Sequence, residues 1–373
     1  MWGYIILFVY LTLMFLFTNW EYRSIVPYYT PLFYQKDKNS PKIDVHKLYD
    51  EFQLKDKFSY LNLLLGNLFI LPIKTFCSFW IAILMNMHLR YYLKKLKNPE
   101  SDPKERKIMA DIISFWARWF FFFNFVTLEE KKLPYEETYK KYLGDDYDFN
   151  DEQYSLIISN HTGYFDVVTH MIKYSAGFLS TKEIKDYYFI GPIAEAMNCL
   201  FVDRESSGDR TRIFKQIEQR QRDFNEKKNL APLCLFPEGT TTCGQYILKF
   251  KKGAFYSLLP VKPGIMGVDP NDDFQVASGA GSVVDNYMRS LGQLHIRVSY
   301  TNLPVIRPTD FMWKNYSHFG SEKWEIYAEV TRKIMSEISG LKESNKNYRD
   351  EKRYNKAIFS GVYDPDEEEK KDK

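Results

Sequence analysis

His161 and Asp166 are the two residues in this sequence best spaced for proton-transfer chemistry. They stand in YSLIISNHTGYFDVVTH, in the pattern NHxxxxD, directly after a short apolar run that reads as a strand. A strand end followed by a helix start exposes backbone N–H groups and polar side chains at a sheet edge, where α/β proteins usually place their ligands. If Thr162 and Gly163 make the turn, Asp166 falls in the first helical turn and reaches one imidazole nitrogen. That bond would fix the tautomer and leave the other nitrogen as a general base. A lone histidine at a strand end is more often structural, so the pair gains its weight from three segments further along the chain.

In order these are GPIAEAMNCLFVDRESSGDR, then LFPEGTTTCGQYILKFKKGAF, then LPVKPGIMGV. Together with NHxxxxD they resemble the PlsC-like lysophospholipid and glycerol-phosphate acyltransferase family. Its successive signatures are NHxxxxD, a hydrophobic-hydrophobic-Asp-Arg segment, FPEGT and a proline-rich strand. Here these fall on His161 and Asp166, on Phe201 to Arg204, on Phe236 to Thr240 and on Pro260 to Pro263, and a weaker likeness runs from Phe120 to Leu303. The longer run EGTTTxGxxxLxFKxGAF is most similar to the branch that reacylates lysophosphatidylcholine and lysophosphatidylethanolamine. The resemblance implies acyl-CoA as co-substrate, no further cofactor, and a lysophospholipid or related glycerolipid phosphate as acceptor.

Each signature also has a physical reading. Glu238 and Gly239 follow the strand-like PLCLF, and the resemblance implies that both meet the substrate together with Thr240 and Thr241. Gly239 would let backbone N–H groups approach a phosphate, and Thr240, Thr241 and Thr242 would add hydroxyl donors; a plain strand-to-loop turn is the ordinary alternative. Arg204 offers a planar fork to an acceptor phosphate, or else a salt bridge to Asp203 or Glu205. Lys249, with Lys251 and Lys252 beside it, is placed either to meet the phosphates of coenzyme A or to form a solvated face. The sequence departs from the family pattern at Asn198, where a glycine is frequent, and at Lys262, inside the proline-rich strand.

The implied chemistry is direct transfer: neutral His161 takes the proton of the acceptor hydroxyl as that oxygen attacks the thioester carbonyl. No covalent acyl-enzyme is called for, since SGAGSV does not complete GxSxG and no motif places a thiol; separately, GAGSVV lacks the third glycine of a dinucleotide loop. DPNDDFQ is not a calcium loop either, with Phe274 at its glycine position and Ala280 at its final glutamate position.

The framework for these residues is read from patterning. The apolar runs YSLIIS, CLFV, PLCLF and LHIRVSY alternate with helix-like stretches, notably Asp209 to Glu226, with a closing helix over 321–340. That alternation predicts an α/β fold with a largely parallel sheet flanked by helices, over 129–341. Ahead of it, residues 1–20 carry no charged side chain and are long enough for a retained anchor helix. The run 58–87 is too long for a simple span and holds Pro72 and Lys74 near its middle, with lysines on both flanks. It predicts a hairpin that enters the membrane and returns to the same side, the alternative being a single tilted span that would leave one lysine cluster on the opposite side. The run 108–128 places Asp111, Ser114 and Arg118 on one face of an aromatic helix, which suits the membrane interface or packing against the globular domain. Residues 342–373 form a charged extension whose end is expected to be disordered.

Composition bounds the rest. Over 373 residues the net charge is only +3, which gives nucleic-acid binding no global electrostatic support, while an aromatic content of 17% points towards lipid. Cys77, Cys199, Cys234 and Cys243 show neither CxxC spacing nor neighbouring histidines, so no metal site or disulfide framework is implied. The expected setting is a membrane, first the endoplasmic reticulum with the catalytic domain on the cytosolic side, second a mitochondrial membrane. Two rivals share these residues: a non-catalytic subunit of a membrane complex that kept the domain, and a thioesterase that uses water as acceptor.

Overall fold

The computed structural model describes residues 6–18, 61, 64–202, 207–268, 287 and 290–347. Seven strands make its main sheet: β1 (Val126–Glu130), β2 (Leu156–Ser159), β3 (Gly177–Thr181), β4 (Leu200–Val202), β5 (Leu233–Leu235), β7 (Val261–Val268) and β8 (Ile296–Asn302). They lie in the order β1-β8-β7-β2-β5-β3-β4. Every neighbouring pair is parallel except β7 with β8. A separate short ladder joins β6 (Tyr246–Ile247) to β9 (Lys342–Glu343).

The two-residue period of a strand explains why the central segments are apolar throughout. Leu156 and Ile158 of β2, Leu233 and Leu235 of β5 and Val261 of β7 face one core, which the helices Glu136–Leu143, Ser207–Asn225 and Lys323–Ser339 cover. Ile157, Cys234 and Met266, one step out of phase, face a second core under the helices Leu71–Lys95, Pro103–Phe123 and Tyr164–Tyr174. The result is the expected α/β arrangement, a mostly parallel sheet between two helical layers. Its edge starts earlier than read from the sequence. The Pro103–Phe123 helix stops at Asn124, and Val126–Glu130 leaves it as β1 rather than continuing the helix to 128. The helix begins where its chemistry dictates: the Asp102 carboxylate accepts the N–H groups of Lys104 and Glu105, and Pro103 takes a first-turn position that needs no N–H.

The hairpin expected over 58–87 is not what forms. Residues Gly66–Lys95 make one continuous helix, a π-helical turn at Gly66–Ile70 running into the α-helix Leu71–Lys95. Pro72 lies at the junction of the two, so the residue expected to break the run opens its α-helical part instead. Lys74 is buried, and its ammonium donates to the Gln293 carbonyl beside the Phe125 ring. Gly66 admits this close approach, because a Cβ there would lie 2.1 Å from the Gly292 carbonyl oxygen. Among the described residues this 30-residue helix is the one long and apolar enough to cross a membrane. It has two characters: Met85 and Leu89 belong to the second core, while Phe69, Ile73, Phe76, Trp80 and Met87 face outward. Of the expected anchor, Ile6–Thr18 is a shorter apolar helix, tied to the long one where Asn67 Nδ2 donates to Thr18 Oγ1. Residues 348–373 of the charged extension lie outside the described residues.

Candidate active site

The site forms because β2 and β5 are adjacent and parallel, with Ile157 opposite Cys234 and Ile158 opposite Leu235. Their C-terminal ends lie side by side, so the turns that follow them, NHTG and FPEGT, meet at one edge of the sheet. Asn160 anchors the first turn: its Nδ2 donates to the Met266 carbonyl at 2.9 Å and its Oδ1 accepts the Met266 N–H at 2.7 Å. This two-way amide bond joins the end of β2 to β7 and sets the backbone on which His161 sits.

His161 Nδ1 lies 2.8 Å from Asp166 Oδ2. Asp166 is the third residue of the Tyr164–Tyr174 helix, and the chain folds back so that its Oδ2 also accepts the N–H groups of Thr162 and Gly163. Its Oδ1 accepts the Thr162 hydroxyl at 2.7 Å. A carboxylate among four donors can only accept, so Nδ1 carries the ring proton and Nε2 is left with its lone pair. The Asp166 side chain is 1% exposed and that of His161 is 21% exposed, so the pair is rooted in the protein and open on the histidine side. On its flat side the imidazole stacks on Phe236, with ring centroids 3.9 Å apart and planes 9° apart.

Glu238, expected to meet the substrate, is turned inward and fully buried. Its Oε1 accepts the His161 N–H at 2.9 Å and its Oε2 accepts the Leu248 N–H at 2.8 Å. The Thr242 N–H closes the same junction on the His161 carbonyl at 2.9 Å. Burial pushes the Glu238 carboxyl up to about 8, against the two backbone N–H donors that pull it down. Gly239 has φ +73°, a backbone conformation that favours glycine, and the Lys251 side chain crosses over it, 2.2 Å from where a Cβ would stand. Lys251, rather than Lys249, is therefore the lysine laid over this turn; Lys249 is exposed and its charge is felt by Glu325. Thr240 is buried and Thr241 half-buried, and Arg204 lies outside the described residues, after β4 ends at Val202 on the same sheet edge.

Both departures from the family pattern have structural accounts. Asn198 adopts φ +57°, the left-handed conformation that asparagine tolerates better than most residues and glycine adopts freely. Lys262 pairs with Ile157 inside the sheet and sets its ammonium 5.6 Å from the Tyr154 ring centroid, before β2 begins and away from the strand ends that carry the site. Asn160 and Phe236 went unassigned from sequence although they lie within the matched motifs, because their roles are set by partners from distant segments.

His170, one turn beyond Asp166, is fully buried, and neither ring nitrogen has a hydrogen-bond partner among the described residues. It packs edge-on against Phe236 and Tyr300. Burial pushes this imidazole down to about 4, outweighing the opposite pull of Asp166. The unfolded chain therefore binds the proton first as pH falls, and stability drops between about pH 6.5 and pH 4. His170→Phe is expected to raise stability by about 1 kcal/mol or more by removing orphaned polar atoms, and to flatten that acid loss. Thermal melting at pH 4.5, 5.5 and 7 checks both; a lower melting temperature at pH 7 would show that the ring nitrogens are satisfied.

Comparison with known proteins agrees with the motif reading. Residues 140–268 match the family model described as Acyltransferase. "Lysophospholipid acyltransferase LPEAT1" of Arabidopsis thaliana is 30% identical over 208 residues, which cover 56% of this chain and 50% of that protein. "Lysophosphatidylcholine acyltransferase 1" of Homo sapiens is 24% identical over 196 residues, which cover 52% of this chain and 34% of that protein. The chain thus spans half the length of the first relative and a third of the second. A solved structure, the 1-acyl-sn-glycerophosphate acyltransferase PlsC from Thermotoga maritima, aligns with TM-score 0.46 and 15% identity over 72% of this chain and 95% of that one.

Proposed function

We propose that this chain, whose residues 140–268 form a domain of the acyltransferase family, transfers a fatty acyl group from coenzyme A to the hydroxyl of a lysophospholipid or related glycerolipid phosphate. The observation that carries the reading is the His161 Nδ1 bond to Asp166 at 2.8 Å, which leaves Nε2 as the basic nitrogen. In the reaction Nε2 takes the proton of the acceptor hydroxyl while that oxygen bonds to the thioester carbon. The carbon–sulfur bond of the resulting tetrahedral adduct then breaks, and the thiolate leaves as the imidazolium returns a proton. Asp166 holds the ring and offsets the charge it gains. Glu238 supports the base through its backbone N–H, and Lys251, laid over Gly239, is a cation placed for a substrate phosphate. The names of the relatives support lysophospholipid as acceptor class.

The outward apolar residues of Gly66–Lys95 support work at a membrane, where acceptor and product reside, with the site on the cytosolic side reached by soluble acyl-CoA. The endoplasmic reticulum is the proposed location. Purified full-length protein, given labelled acyl-CoA with a panel of lysophospholipids and glycerol 3-phosphate, is expected to yield labelled diacyl phospholipid and one free thiol per transfer. Labelled free acid as the product would assign water as the acceptor and a thioesterase activity. No turnover with any acceptor would favour a structural subunit of a membrane complex.

A further inference from the structure

We propose that Phe236 is a positioning residue for the base, and that its ring face stabilises the positive charge His161 acquires as it takes the proton. The inference rests on the acyl-transfer reading and adds to it a group outside the His161–Asp166 pair. Two contacts fix the imidazole in two different directions. Asp166 holds its Nδ1 edge, and Phe236 lies flat beneath its plane at 3.9 Å and 9°.

The phenyl ring is itself held from behind. Phe178 lies parallel to it, with centroids 5.8 Å apart and planes 8° apart, and His170 meets it at 6.0 Å. Its backbone is pinned as well, since the Phe236 carbonyl accepts the Gly239 N–H at 3.0 Å and the neighbouring Pro237 carbonyl accepts the Lys251 N–H at 2.9 Å. These bonds fix the Cα from which the ring projects, and Phe178 and His170 pack against the ring itself.

A phenyl face carries partial negative charge, so it attracts a cation more strongly than a neutral ring. A general base is neutral before it takes a proton and cationic afterwards, so in that role His161 gains its charge at the transition state. Stacking therefore strengthens as the reaction proceeds, which is the kind of interaction that raises kcat and leaves KM alone. A ring that served only as a spacer would hold the imidazole equally well whatever the electron density on its face.

That difference defines the test. Phe236 is replaced in the full-length enzyme by mono-, di- and trifluorophenylalanine, which withdraw electrons from the ring face with little change of shape. With wild-type enzyme transferring acyl groups to lysophospholipid, kcat is expected to fall stepwise, to about one-tenth at the trifluoro ring. KM for acyl-CoA and for lysolipid should stay constant, as should the melting temperature. Phe236→Leu, which lacks a ring face altogether, is expected to lose at least as much kcat. A flat kcat series in folded protein would overturn the proposal and make Phe236 a spacer. A wild-type enzyme without transfer to any acceptor would instead overturn the functional reading beneath it.

Discussion

His161→Ala is expected to lower turnover by at least about 100-fold, the lower end of what a positioned general base contributes. Acyl-CoA binding should survive, because the Glu238 junction bonds the backbone N–H of residue 161 and not its side chain. Asp166→Asn is a less neutral change than its size suggests. Asp166 accepts from His161 Nδ1, the N–H groups of Thr162 and Gly163 and the Thr162 hydroxyl, so an amide would bring a donor among donors. Both turnover and stability should drop in that variant. If the pair acts as one device, the double variant is expected to turn over scarcely more slowly than His161→Ala, because Asp166 has no base left to orient. Losses that multiply would mean independent sites, and near-normal transfer by folded His161→Ala would exclude it as the base. The measurement is a four-variant cycle of turnover on one lysolipid, with melting curves for each protein.

The second large effect belongs to Glu238 and is mainly structural. Glu238→Ala leaves the buried N–H groups of His161 and Leu248 without acceptors, at roughly 1–3 kcal/mol each, and loosens the join between the two turns. Loss of several kcal/mol in chemical denaturation is expected, together with loss of turnover. The wild type should also show a pH signature. Burial raises the carboxyl from 4.5 to about 8, so between these values the folded chain binds the proton more tightly than the unfolded chain. Stability from this group is complete below about pH 4.5 and is lost as pH rises towards 8. Glu238→Gln cannot titrate, so its stability deficit against wild type should shrink from pH 5 to pH 8. A deficit that grows over that range would show the carboxylate, not the acid, to be the favoured buried form.

Much of this architecture was legible in the chain. The runs YSLIIS, CLFV and PLCLF contain β2, β4 and β5, since buried strands need apolar residues on both faces, and LHIRVSY covers all but the last two residues of β8. Strand β1 was hidden because VTLEE follows directly on an aromatic helix, and the apolar texture runs across the boundary at Asn124. The hairpin reading failed at Pro72 because the helix changes there from a π-helical turn, Gly66–Ile70, to the α-helix Leu71–Lys95, and composition does not show where such a junction accommodates a proline. In the site, spacing named His161 and Asp166 because they are local to one turn. It assigned Glu238 to the substrate because a carboxylate in an exposed-looking loop gives no sign that backbone donors from two other segments will enclose it.

The long helix serves two masters, and this constrains how such a protein can change. Met85 and Leu89 pack in the same core as Phe165 and Ile172 of the helix that carries Asp166. The wall behind the base is therefore part of the element with the outward apolar face. An unrelated helix could not be grafted in its place without repacking that wall, and a version cut back to the sheet would expose the apolar surface that Met85 and Leu89 now cover beside Phe165 and Ile172. The outward apolar face and the packing behind His161 and Asp166 are thus two sides of one continuous interior.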